Sequence, residues 1–119
     1  MEKIIIWHNP RCSKSRATFN LLEENNIEME VFKYLVEPST KKDIKDLLKK
    51  LDFTARDLMR KTEKVYKDLD LKNEENEEKL IIAMVENPEL IERPIVIKGK
   101  KAVIGRPIEN VIELLEISK

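Results

Sequence analysis

Hydrophobic and polar positions follow two distinct rhythms along this chain. The run Ile4-Ile5-Ile6-Trp7 is short, β-branched and apolar throughout, the mark of a buried strand. From about Ser13 to Asn25 the spacing becomes helical, with Ala17, Thr18, Leu21 and Leu22 on one face. Met29 to Lys33 alternates weakly and suits a second strand. Strand, helix and strand in that order predict a parallel βαβ unit with a right-handed crossover. In the middle, Thr40 with Asp43 and Thr54 with Asp57 both match the Ser/Thr-x-x-Asp/Glu signal that opens a helix. Ile44, Leu47, Leu48 and Leu51 then form one apolar stripe. A short helix follows over Ala55 to Lys61, and the polar stretch Thr62 to Asn76 predicts a loop containing one helical turn. Leu80, Ile81, Met84 and Val85 share a face of a helix over Glu77 to Glu86, which Pro88 ends.

The last third returns to strands. Ile95-Val96-Ile97 and Ala102-Val103-Ile104 flank Lys98-Gly99-Lys100-Lys101, a hairpin with a glycine-containing turn. Pro107 is placed to open a final helix, along which Ile108, Val111, Ile112 and Leu115 repeat the stripe. The order is βαβ, a helical block, then ββα. The predicted fold class is therefore α/β, a thioredoxin-like arrangement with helices inserted at about residues 40–88 of a single domain.

Composition narrows the function. At 119 residues the chain is long enough for one modest core. Its 23 basic and 23 acidic residues cancel, so no general field favours nucleic acid or a membrane surface, and any functional charge must be local. A single cysteine excludes an intrachain disulfide and a stapled secreted scaffold. No stretch reads as a targeting peptide or is long enough to span a bilayer, and the expected compartment is the cytoplasm, where a free thiol stays reduced.

That cysteine, Cys12, lies in Trp7-His8-Asn9-Pro10-Arg11-Cys12-Ser13-Lys14-Ser15-Arg16, between the first strand and the first helix. Backbone N–H groups without intrahelical partners and the positive end of the helix dipole meet there, and both favour the thiolate. Arg11 and Arg16 add nearby positive charge. A buried structural cysteine is the plainer alternative, but the flanking residues are polar and loop-like. Serine stands at position 15, where a C-x-x-C motif has its second cysteine, so turnover of an oxidised Cys12 requires an external thiol. His8 is the only histidine; as a cation it would support the thiolate, and otherwise it is a strand-end histidine with a satisfied hydrogen bond. The Ser15 hydroxyl is placed either to donate to the sulfur or to cap the helix. Arg93-Pro94 and Arg106-Pro107 bracket the hairpin, and arginine suits tetrahedral oxyanions because its planar fork donates two parallel hydrogen bonds. Taken singly, these arginines and Arg60 read as solvated surface charges. One histidine and one cysteine make no metal site, and no phosphate-binding glycine loop is present.

In order along the chain, His8-Asn9-Pro10-x-Cys12-x-x-Ser15-Arg16, Arg60 after Asp57-Leu58-Met59, Asn87-Pro88, Arg93-Pro94-Ile95-Val96 and Gly105-Arg106-Pro107 resemble the glutaredoxin-coupled arsenate reductase (ArsC) family. That family also contains the Spx-type transcription regulators. The resemblance implies that Cys12 is the nucleophile that attacks arsenate, that Arg60, Arg93 and Arg106 bind the oxyanion, and that His8 and Ser15 help hold the thiolate. It further implies that Pro94 is a cis-proline facing the active site. No tightly bound cofactor is implied; glutathione is the co-substrate and glutaredoxin the protein partner. Two other readings stand beside it. One is an Spx-like regulator that binds RNA polymerase, against which Ser15 and Arg106 argue. The other is a glutathione-linked thiol oxidoreductase with a different substrate, which would need no arginine cage.

Overall fold

The computed structural model describes residues 3–37, 39–106 and 108–116. Along the chain the elements are β1 (Ile4–Trp7), α1 (Ser13–Glu24), β2 (Glu30–Phe32), α2 (Lys41–Leu51), α3 (Ala55–Leu58), α4 (Lys64–Asp68), α5 (Glu77–Glu86), β3 (Ile95–Lys98), β4 (Lys101–Ile104) and α6 (Glu109–Leu115). They divide into two compact units: Met1–Glu37 together with Arg93–Lys119, and Pro38–Glu92.

The first unit holds a four-stranded sheet in the order β2-β1-β3-β4. β1 runs parallel to β2, with Ile6 opposite Val31, and antiparallel to β3, with Ile6 opposite Val96. β3 and β4 form the predicted hairpin, Lys98 facing Lys101. Gly99, the first of its two turn residues, has φ 58°, a conformation in which a Cβ is unfavourable. The apolar stripes of the helices cover this sheet: Ile4, Ile6, Leu22, Val96 and Val111 form the buried centre, with Phe19, Leu21, Val103 and Leu115 packed against it. The fold is α/β and thioredoxin-like, as the order of elements predicts.

Strand direction decides where function can gather. β1 and β2 end at the edge of the sheet where β3 begins and β4 ends. Segments 8–12, 93–94 and 105–106 therefore meet at one end of the sheet, although they are separated by up to ninety-eight positions in sequence.

The second unit is helical. α2 and α3 start with the predicted reciprocal caps: Thr40 N–H donates to Asp43 at 2.9 Å and Thr54 N–H to Asp57 at 3.0 Å, while the threonine hydroxyls accept the two aspartate amides. Ile44, Leu47, Leu48 and Leu51 are buried as the stripe requires. α3 ends at Leu58 rather than reaching Lys61, because the chain turns extended there. Met59 bridges Ile91, Arg60 N–H donates to Leu90 O at 2.7 Å, and Glu92 N–H donates to Leu58 O at 2.9 Å.

The polar stretch 62–76 holds more structure than its pattern predicts, with α4 and a 3₁₀ turn at Leu71–Asn73. A side chain organises it: the Arg56 guanidinium donates to Tyr66 Oη at 3.2 Å, Leu71 O at 2.9 Å, Lys72 O at 3.2 Å and the Glu74 carbonyl. In α1 the buried face is Ser15, Thr18 and Leu22, whereas Ala17 is exposed. The expected role of Pro107 in opening the last helix lies outside the described residues.

Candidate active site

Cys12 is the N-cap of α1, with extended backbone at φ −93° and ψ 124°. Its carbonyl accepts the Arg16 N–H at 2.9 Å, and its own N–H donates back to Asn9 O at 3.0 Å. The Arg16 guanidinium closes over the same loop, donating to Pro10 O at 3.0 Å. The sulfur is thus the pivot between a tight turn and the first turn of a twelve-residue helix. It is half-buried, reachable and reduced.

Arg106 reaches this sulfur from the far end of the hairpin, its Nη2 at 3.3 Å from Cys12 Sγ. The same guanidinium donates through Nε to the main-chain carbonyl of Arg93 at 2.8 Å. Burial alone would raise the thiol pKa. The amides of Ser15 and Lys14 and the Arg106 charge and hydrogen bond oppose it, and the net effect holds the thiol below its ordinary value. The helix-terminus argument from sequence has its physical basis in those two amides.

Ser15 is fully buried. Its Oγ accepts the Asn9 N–H at 2.9 Å and lies 2.7 Å from His8 Nδ1. His8, itself buried and stacked on Phe19, is shifted downward by desolvation, with Lys33 and Arg16 adding repulsion. That shift disfavours the cationic form of the ring, and the contact His8 makes in this site is with the Ser15 hydroxyl.

The Arg93–Pro94 peptide is cis, and Pro94 is buried directly before β3. Gly105 N–H donates to Pro94 O at 2.8 Å, which binds the segment before β3 to the segment after β4. Of the residues singled out in the sequence, Cys12, Arg93, Arg106, His8, Ser15 and Pro94 gather at this end of the sheet. Arg60 belongs to the helical unit, where its Nη1 pairs with Glu63 at 2.9 Å. The glycine at 105 and the anchoring role of the Arg93 carbonyl were missed, and only the Gly105-Arg106 adjacency hinted at them. Among the described residues no cluster of His, Cys, Asp and Glu converges to hold a metal, and none of their helices is long and apolar enough to cross a membrane.

A mixed sheet with a lowered-pKa cysteine capping its first helix, and a cis-proline before the third strand, defines a thioredoxin-like thiol protein. More narrowly, the chain belongs to the ArsC family, whose model matches residues 7–114. It is 53% identical over 116 residues to the Escherichia coli K12 uncharacterized protein YfgD, covering 96% of this chain and 98% of that one. An arsenate reductase of Neisseria meningitidis serogroup B is 46% identical over 117 residues, covering 97% and 100%. The solved structure of an arsenate reductase from Vibrio cholerae superposes with a TM-score of 0.90 at 42% identity, over 94% of this chain and 97% of that one.

Proposed function

We propose that this protein reduces arsenate to arsenite, with Cys12 as the nucleophile. The observation that carries the reading is the Arg106 guanidinium held 3.3 Å from a thiol whose pKa is lowered, in a chain of the ArsC family. A thiolate and an arsenate dianion repel each other, and cationic donors at the sulfur offset that repulsion as the bond forms.

The thiolate attacks arsenic and one arsenate oxygen departs as water after protonation, leaving an arsenylated Cys12. A glutathione thiolate then attacks the Cys12 sulfur. Arsenic takes the electron pair of the broken S–As bond and leaves as arsenite, and Cys12 is left in a mixed disulfide with glutathione. Two thiols have become one disulfide, and As(V) has gained the two electrons they gave up. Glutaredoxin, by attack on the glutathione sulfur, returns Cys12 to its thiolate. With serine at position 15 the chain needs this outside donor. Arg106 and Arg93 are the arginines assigned to the anion at this end of the sheet. The family resemblance adds Arg60, which pairs with Glu63 within the helical unit. The cytoplasm, with its reduced glutathione pool, is the compartment that suits this chemistry.

Arsenite release from arsenate, glutathione and glutaredoxin tests the reading. Cys12→Ser abolishes turnover, and Arg93→Ala lowers kcat/KM by about 100-fold or more, the scale for losing one preorganised donor to a developing anion. A folded, reduced native protein that yields no arsenite, beside an active reductase as control, refutes it. The thiolate–arginine pair also suits a glutathione-linked disulfide substrate. That reading predicts disulfide turnover insensitive to Arg93→Ala.

A further inference from the structure

We propose that Asn9 is a positioning residue for the Cys12 sulfur, holding it through the turn that carries the cysteine and through the hydroxyl of Ser15. Asn9 is only 8% exposed although it is polar and lies in a loop. Its Oδ1 accepts the Arg11 N–H at 3.0 Å, its carbonyl accepts the Cys12 N–H at 3.0 Å, and its own N–H donates to Ser15 Oγ at 2.9 Å. The first two bonds close a turn over Pro10 and Arg11, with asparagine at the first corner and proline at the second, the positions each favours. The third bond fixes the first turn of α1. Cys12 sits between these two anchors, three residues from each.

This arrangement also sorts the donors around the sulfur. The amides of Arg11 and Cys12 both donate to Asn9, so neither is left for a ligand. The amides that act on the sulfur are those of Ser15 and Lys14. The donors at the sulfur are therefore the helix amides and the Arg106 side chain, and not the amides of the turn that precedes Cys12. Without the Asn9 Oδ1, the Arg11 amide loses its acceptor and the turn loosens. The sulfur then leaves the position in which the helix amides and Arg106 favour its charge. The charged and titratable groups around it are Arg106 at the sulfur, Arg16 on Pro10 O, Arg11 and Lys14 in the flanking sequence, and the His8 imidazole beyond Ser15; a neutral substitution at position 9 alters the charge of none of them.

The inference rests on Cys12 as the nucleophile and not on arsenate as the substrate, so the test uses iodoacetamide. Alkylation rate is measured against pH on the reduced full chain, with urea denaturation as a folding control. Asn9→Ala should slow alkylation at pH 7 by about threefold and move the profile to higher pH, as thiolate control of reactivity requires. Asn9→Ser keeps a shorter, weaker acceptor and should recover part of the rate. A folded Asn9→Ala protein with the native profile overturns the inference. If Asn9→Ala does not fold, Asn9→Ser decides: an intermediate rate supports the positioning role, and a native profile overturns it. Arsenate is absent from the assay, so its failure as a substrate leaves this result intact.

Discussion

Gly105 is where a single added carbon should disturb both stability and the site. A Cβ built there lies 2.9 Å from Pro94 Cγ, 3.0 Å from Thr18 Oγ1 and 3.3 Å from Val111 Cγ2. Carbon pairs settle at about 3.5–4.0 Å, so all three neighbours must retreat. None is the free end of a flexible side chain: Pro94 is a ring beside a main-chain hydrogen bond, and Thr18 and Val111 are fully buried. Forcing extra volume into such packing costs about 1–3 kcal/mol. The displacement also strains the bond from Gly105 N–H to Pro94 O, and through Pro94 it moves the Arg93 carbonyl on which Arg106 rests. Gly105→Ala should lower the unfolding free energy by that amount in urea denaturation and slow Cys12 alkylation at pH 7. Thr18→Ala removes one clashing atom, an Oγ1 with no hydrogen-bond partner among the described residues. The double variant should therefore lose less stability than the two single changes added together. A Gly105→Ala protein within about 0.5 kcal/mol of native, the usual range for an innocuous surface change, with an unaltered alkylation profile, would refute the packing argument.

Arg106→Ala should slow alkylation of Cys12 at pH 7 by about three- to tenfold, and added salt should narrow the gap because the guanidinium is exposed. A salt-independent native rate in that variant would show that the arginine does not stabilise the thiolate. The depressed pKa of His8 makes its contribution to stability complete above the unfolded value of 6.5 and lost as pH falls below it toward the folded value. The thermal midpoint should accordingly fall between pH 7 and pH 5 in the native chain and fall less in His8→Gln. Equal losses would assign the slope to other groups. Thr54→Ala removes one half of the cap on α3 and should cost about 0.5–2 kcal/mol by urea denaturation, leaving Cys12 alkylation unchanged.

Much of the architecture was legible because the signals were local. The β-branched runs gave β1, β3 and β4, and the Thr-x-x-Asp pairs located the starts of α2 and α3. What escaped depended on partners distant in sequence. α3 stops early because Leu90, Ile91 and the Glu92 amide engage the chain from residue 58 onward. The segment 62–76 is shaped around Arg56, a residue whose spacing looks like ordinary surface charge. Ser15 displaced Ala17 from the buried face of α1 because two hydrogen bonds, invisible to a hydrophobic pattern, compensate its burial. Within the site the cysteine and its helix terminus could be read directly. The link between Arg106 and the Arg93 carbonyl could not, since it forms only when the hairpin brings both ends together.

That link bears on how the site behaves when the charge at its centre changes. The atom holding Arg106 in place is a neutral main-chain oxygen, fixed beside β3, and the sulfur receives a different nitrogen of the same planar group. The orientation of the guanidinium is consequently independent of the ionisation it favours. Protonating or alkylating Cys12, or carrying it into a disulfide, removes the anion without releasing the cation's anchor. The next thiolate to form finds its counter-charge already aligned, and no reorganisation is required before the site can react again.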